Sequence, residues 1–224
     1  MTQPTAPLLE LQNVSVKDRW KERGLSRLNL AVAPGRAVHV SAESPDDIHL
    51  FMRLLATLEW PHRGRFIYGG ERLMFHRYEA LLPVKRTIGY IYPMAAMIRN
   101  RTIEENLDYQ VHYFTDMDAA RHKERKEALL STFGIEGEVG RSPELVGALT
   151  LRQAIAVREL LKEPMLLLAE YPEEFAGRGR LSQFIGEVRR ILSRGGAFIY
   201  CSNYRGLGRE LNPVELDLGD GGWV

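Results

Sequence analysis

The 224-residue sequence holds one cysteine, Cys201, so an internal disulfide is excluded. No apolar run approaches the roughly 20 residues that a membrane-spanning helix needs. Stretches such as residues 165–169 stop far short of it, so direct membrane insertion is not expected. Residues 1–7 lack the basic-then-apolar pattern of a secretory leader, and with so little cysteine this points to the cytosol. Charge of one sign is lacking too: 30 basic residues face 29 acidic ones, interspersed, for a net charge of +1. Such a chain projects no field suited to nucleic acid or to an anionic membrane surface. The densest basic run, residues 121–126, includes Glu124 and reads as a solvated helix face. The histidines show no metal-ligand spacing, and one cysteine does not build a structural zinc site, so no metal held by side chains alone is expected. There is no internal repeat and no low-complexity linker.

What is present is an ordinary apolar fraction, 45%, in a pattern that alternates between two periods. Residues 8–14 and 28–32 alternate as strands, joined through the charged segment 17–23, and Pro34-Gly35 makes a turn. Residues 37–40 read as a short strand, 41–47 as a loop and 48–58 as an apolar helix ending before Pro61. A second β-rich piece, 65–68 and 87–92, is separated by the turn-like Gly69-Gly70. The middle, 102–162, is helical in pattern: Thr115 with Asp118 forms a cap, Gly134 a stop, and a further helix covers 149–162. Residues 165–169 suit a strand buried on both faces of a parallel sheet. A helix striped with Phe184, Ile185, Val188, Ile191 and Leu192 then runs to Gly195-Gly196, followed by a strand at 197–201. The end, 214–224, reads as a hairpin turning at Asp220-Gly221.

These pieces, in this order, resemble the nucleotide-binding subunits of ABC transporters from about residue 8 to residue 224. The opening phrase Leu9-Glu10-Leu11-Gln12-Asn13-Val14-Ser15 matches the family's first strand, and residues 30–35 its second strand and turn. Residues 53–58 are similar to the helix behind the phosphate loop, and Pro61 and Gly64 to the family's usual residues after that helix. Residues 88–92 resemble the strand entering the glutamine loop, 102–107 its continuation, and 154–156 with 163–168 the helix after the signature and the Walker B strand. The wording of residues 94–107 is similar to that of MCE-type lipid-transport subunits. The resemblance implies an α/β, P-loop NTPase-like fold: a mixed sheet core, an N-terminal antiparallel β subdomain and an inserted α-helical subdomain. Its RecA-like core would span 1–93 and 163–224, with the helical subdomain at about 94–162.

Laid over that family, the chemistry is largely replaced. A working phosphate loop reads G-x-x-x-x-G-K-[ST]: glycines let backbone N–H groups curl round the phosphates, the lysine neutralises them, and the hydroxyl ligates magnesium. Here the matching residues are Ala42, Glu43, Ser44, Pro45, Asp46, Asp47, Ile48 and His49. The lysine has become Ile48, Pro45 removes an N–H donor, and Glu43, Asp46 and Asp47 bring acids to a polyanion's place. At an effective dielectric near 20, one unit charge ~4 Å from another costs about 4 kcal/mol, several hundredfold or more in affinity. Pro93 stands at the glutamine-loop position. The signature keeps only Gly147, between Val146 and Ala148. At Walker B, Glu170 replaces the magnesium-holding Asp and Tyr171 the Glu that orients water; an alternative alignment makes Glu170 the catalytic acid and puts Ala169 at the magnesium position. Asn203 stands for the switch histidine and Gly177 for the dimer-facing aspartate, while Cys201 reads as a core thiol.

The sequence therefore leads to the expectation of a pseudo-ATPase subunit, more non-enzyme than enzyme, peripheral on the cytoplasmic face through a membrane permease. It would dimerise with itself or with a competent paralogue, without nucleic acid. No cofactor is expected; ATP and magnesium enter only if the altered pocket still binds them. Two rival expectations are slow ATP hydrolysis with His49 or a backbone cradle in the lysine's stead, and a soluble regulator reusing the fold.

Overall fold

The computed structural model describes residues 6–18, 24–114, 118–177 and 179–219, with 110–114 described in backbone only. Strands β1 (Leu9–Lys17), β2 (Gly24–Val32) and β3 (Ala37–Ser41) come first, then helix α1 (Pro45–Leu55). They are followed by β4 (Pro61–Tyr68), β5 (Glu71–Arg72), α2 (Tyr78–Arg86) and β6 (Ile88–Ile91). Helices α3 (Ile103–Phe114), α4 (Ala119–Phe133) and α5 (Ala148–Leu161) lie between β6 and β7 (Leu166–Glu170). The chain continues through α6 (Pro172–Ala176), α7 (Leu181–Ser193), β8 (Ala197–Cys201), α8 (Gly206–Leu211) and β9 (Val214–Asp217).

Two sheets result, each of one kind. β2-β1-β4-β5 is antiparallel, with Leu9 opposite Val32 on one side and Tyr68 on the other; β6-β7-β8-β3-β9 is parallel throughout. The α/β class is as expected, and its mixed character lies between the sheets. Residues 65–68 and 87–92, read as one β-rich piece, belong to different sheets and are parted by α2. That helix escapes sequence reading because Pro83 sits inside it and Leu81 is its one buried residue.

Strands β6, β7 and β8 are buried on both faces, and their period of two divides the apolar residues between two cores. Leu166 and Leu168, with Ala197, Ile199 and Cys201, face α1 and the antiparallel sheet. Leu167 and Ala169, with Phe198 and Tyr200, face α5 and α7. Phe184 meets Phe175 and Phe198 edge-on there, at 5.1 and 6.0 Å between ring centres.

Several boundaries move for local reasons. α1 starts at Pro45 rather than at residue 48, because proline is favoured at the first helical position where its missing N–H is not needed, and it ends at Leu55. The cap of α4 is Asp118 itself, accepting from the Ala120 and Arg121 N–H groups; Thr115 lies outside the described residues. Gly134 closes that helix in the left-handed region, φ 65°. β9 lies parallel to β3, Val38 opposite Val214, and the expected hairpin turn at Asp220-Gly221 lies outside the described residues.

α5 is tied to β6 by charge. The Glu159 carboxylate, almost fully buried, accepts from Lys162 Nζ at 2.5 Å, Arg158 Nε at 3.0 Å and the Tyr90 N–H at 3.3 Å. Burial alone raises its pKa, but Lys162 and Arg158 outweigh burial and hold it below the usual carboxylate range. A carboxyl lowered in the fold contributes stability above its unfolded pKa, near 4.3, and that contribution is lost as pH falls through the folded value. Urea melts of Glu159→Gln should therefore show about 3–5 kcal/mol lost at pH 7, because two partly buried cations lose their partner, and a flatter decline below about pH 4.5 than the wild type.

Candidate functional site

At the C-terminal ends of the parallel strands, β3 runs through residues 42–44 into α1. Among the described residues, none from Ser41 to His49 has a positive φ, so this loop lacks the left-handed turns that glycines supply to a phosphate cradle. Ser44 caps α1 by position, with φ −114°, but its side chain makes no cap hydrogen bond to the helix. Asp46 and Asp47 fill the first turn, where the helix dipole favours an anion, so the chain supplies its own negative charge there. Pro45, Asp46 and Glu43 face solvent, Ala42 packs partly on the core, and Ile48 turns inward among the core residues.

His49, one residue on, is only half buried and reaches across to β7. Its Nδ1 lies 2.8 Å from Glu170 Oε1, and the Tyr90 hydroxyl donates to the same oxygen while standing 3.3 Å from that ring nitrogen. An ionised carboxylate only accepts, so the imidazole carries its hydrogen on Nδ1. Tyr92 stacks on Tyr90 at 4.5 Å and tilts against His49 at 5.9 Å, walling the cluster. The strand period sets this meeting: Leu166, Leu168 and Glu170 share the α1 face of β7, as Ile88 and Tyr90 do on β6, with Tyr90 in register with Leu168. Glu170 is 5% exposed. Burial first, then the Glu170 charge, drives the Tyr90 phenol far above its usual range, so it serves only as a donor.

Tyr171 follows in the left-handed region, φ 52°, with its N–H on the Cys201 carbonyl at 3.0 Å. Burial raises its phenol pKa, and burial pushes the Cys201 thiol up to about 12. Neither is a base or a nucleophile at neutral pH. Between Tyr171, Glu170, Pro93 and Phe175 remains a cavity of about 10 Å³, room for roughly one water.

Pro93 itself is in an exposed turn. The segment after it is held at two points: Arg158 donates to the Ala96 carbonyl at 2.6 Å, and Asn106 exchanges hydrogen bonds with both backbone groups of Ile98, at 2.7 and 3.0 Å. Met94, 81% exposed, and Ile98 project from it. Gly177 and Asn203 border one open groove of about 510 Å³ with Leu181, Tyr204 and Glu173. Glu173 accepts from Ser202 Oγ at 2.7 Å and the Asn203 N–H at 2.8 Å. Val146, Gly147 and Ala148 stand at the start of α5, with Gly147 as its N-cap residue, φ −66°, no side-chain cap, and open space where a Cβ would be.

Of the residues singled out from the sequence, the fold thus brings His49 onto Glu170, gathers Pro93 and Tyr171 beside Glu170, and sets Gly177 with Asn203 in a separate groove. Tyr90, Glu159 and Glu173 were missed; for Tyr90 the alternation of residues 88–92 was the available signal. Tyr90→Phe should cost about 1–3 kcal/mol in urea unfolding because a buried carboxylate loses a donor, and combining it with His49→Ala should depart from additivity by more than about 0.5 kcal/mol.

No family model matches the chain. The lipoprotein-releasing system ATP-binding protein LolD 2 of Chlorobaculum tepidum is 30% identical over 177 residues, 76% of this chain and 70% of that protein. The sulfate/thiosulfate import ATP-binding protein CysA of Synechocystis is 31% identical over 149 residues, 66% of this chain, which spans only 40% of that longer protein. Among solved structures, a dimeric ATP-binding cassette in a post-hydrolysis state with ADP and Pi superposes with a TM-score of 0.82 at 16% identity, covering 95% of each chain. The order of strands and helices and this level of identity to LolD 2 agree: the chain belongs to the family of ABC transporter ATP-binding subunits.

Proposed function

We propose that this subunit is a catalytically degenerate member, a pseudo-ATPase that couples or scaffolds a membrane permease without turning over ATP in its own Walker site. The observation that carries the reading is the 2.8 Å contact between His49 and Glu170. In the alignment that puts Glu170 at the magnesium-holding Asp, these are the positions at which the family's hydroxyl and carboxylate share magnesium. Joined directly, with Tyr90 on the same oxygen, they leave that metal no room, and the buried Ile48 offers no cation to a phosphate. The residues present do not fit Mg-ATP. Tyr171, at the position of the family's water-orienting Glu in the same alignment, is a phenol whose pKa burial raises further, and is no base.

Other features support a role through contact. Residues at about 94–162 act in this reading as the helical lobe, and the pinned segment bearing Met94 and Ile98 presents apolar side chains to a cytoplasmic part of a permease. Attachment to the cytoplasmic face goes through that partner, since no helix among the described residues is long and apolar enough to cross a membrane. The lipoprotein-releasing name of LolD 2 and the wording of residues 94–107 both favour lipidic cargo.

A second reading concerns the partner's site. The N-terminus of the 14-residue α5 is uncovered at Gly147, so a competent paralogue could set its own nucleotide against it in a heterodimer and hydrolyse at reduced rate.

The test is a titration of the purified chain with labelled ATP, with and without magnesium, reading fluorescence anisotropy. No saturation below millimolar concentration is expected; micromolar affinity dependent on magnesium would overturn the reading. The double variant Ile48→Lys with His49→Ser, which restores cation and hydroxyl, should bind at least tenfold more tightly than the wild type.

A further inference from the structure

The opposite edge of the parallel sheet, where β7 begins, carries a charge arrangement the nucleotide fold does not use. Glu163, in the turn between α5 and β7 at φ 48°, faces arginines from two helices. Arg121 of α4 donates to Glu163 Oε2 at 2.6 Å, while Arg190 of α7 and Arg194, its C-cap residue, stand 3.5 and 3.7 Å from Oε1, too far to hydrogen-bond. Neither of those two guanidiniums makes a hydrogen bond to another described residue. One turn along α4, Arg125 pairs with Glu187, and its Nε is buried without a partner. At this end of the α4–α7 seam, Arg121, Arg125, Arg190 and Arg194 thus meet Glu163 and Glu187, four guanidiniums against two carboxylates, in a chain whose whole net charge is +1.

Two features oppose this crowding: Arg121 lies in the first turn of α4, where the helix dipole disfavours a cation, and Arg190 and Arg194 are like charges four residues apart, although the C-terminal end of α7 that carries them favours positive charge. Packing does not force the Arg190 and Arg194 side chains inward, since both reach solvent. An oxyanion of charge −2 would cancel the surplus, and planar guanidinium forks are the donors best matched to phosphate oxygens. With both guanidiniums beside one Glu163 oxygen, a single phosphate can bridge them.

We propose that the α4–α7 seam is a phosphate-dianion site, with Arg190 and Arg194 as its donors and Glu163, held by Arg121, as the internal carboxylate that only partly neutralises them. It is separated from His49 and Glu170 by at least the length of β7, five residues or roughly 16 Å. It is therefore a second site, independent of the fate of the Walker positions. The phosphate is a free anion or the monoester headgroup of a lipid.

Thermal unfolding in sodium phosphate against sodium chloride, at equal pH and ionic strength, tests it. Phosphate at about ten times its dissociation constant should raise Tm by at least about 3 °C over chloride. Arg190→Gln with Arg194→Gln should abolish that difference. Glu163→Gln, which adds one more net positive charge, should lower Tm in chloride and enlarge the phosphate increment. Flotation with phosphatidic acid against phosphatidylcholine vesicles assigns the source: phosphate-reversible capture marks a lipid headgroup, and its absence with the Tm effect intact marks the soluble anion. A phosphate increment equal to that of chloride, or one that survives in the Arg190/Arg194 double variant, overturns the proposal.

Discussion

The hydrogen bond between His49 and Glu170 is the contact on which the character of this molecule depends. It joins the first turns of α1 to the end of β7, two elements that in a phosphate-binding fold are held apart by a ligand both of them touch. Here a side chain from each spans the gap. An imidazole N–H and a phenol O–H give the buried carboxylate two donors, so its burial is compensated from within the chain. The site is in that sense complete as it folds. Its preorganisation is directed at itself, and any ligand requiring the same oxygens competes with bonds already made.

The rest of the architecture follows from how the strands deliver those groups. Strands β6, β7 and β8, buried on both faces, have little freedom of register, because a slip by one residue would exchange the two cores. Register fixed in this way puts Tyr90, Glu170 and Cys201 on one face and leaves α1 as the element that closes over them. Behind the other face, Glu159 binds α5 to the strand that carries Tyr90, and Arg158 beside it grips the Ala96 carbonyl. A short chain of contacts therefore runs from the buried network to the exposed Met94 turn without passing through a nucleotide.

Much of this was legible in the sequence. The strand at residues 197–201 is exact, that at 165–169 is one residue out of phase with β7, and Gly134 stops α4 as read, because period-two runs and a left-handed glycine are local signals. α2 was hidden because Pro83 opposes the local helical pattern, and what sustains it is tertiary: Leu81 buried in the core, Val84 packed against it and Lys85 donating to the Thr57 carbonyl. At the site, reading residue by residue marks each departure from an expected motif but not the contacts the residues present make with one another. The replacement of a lysine by Ile48 is visible in one position; the partnership of His49, Tyr90 and Glu170 spans 121 residues of chain and exists only after β6 and β7 pair. The acids Asp46 and Asp47 read as repulsive to a polyanion, and in the fold they also complement the α1 dipole, a stabilising role that the motif alignment did not suggest.

Cys201 gives the fold one more property. It ends a fully buried strand beside Glu170 and Tyr171, and its thiol stays protonated across the physiological range. An alkylating reagent can reach it only when β8 leaves its place between β7 and β3, so the rate of labelling would time the opening of the central sheet.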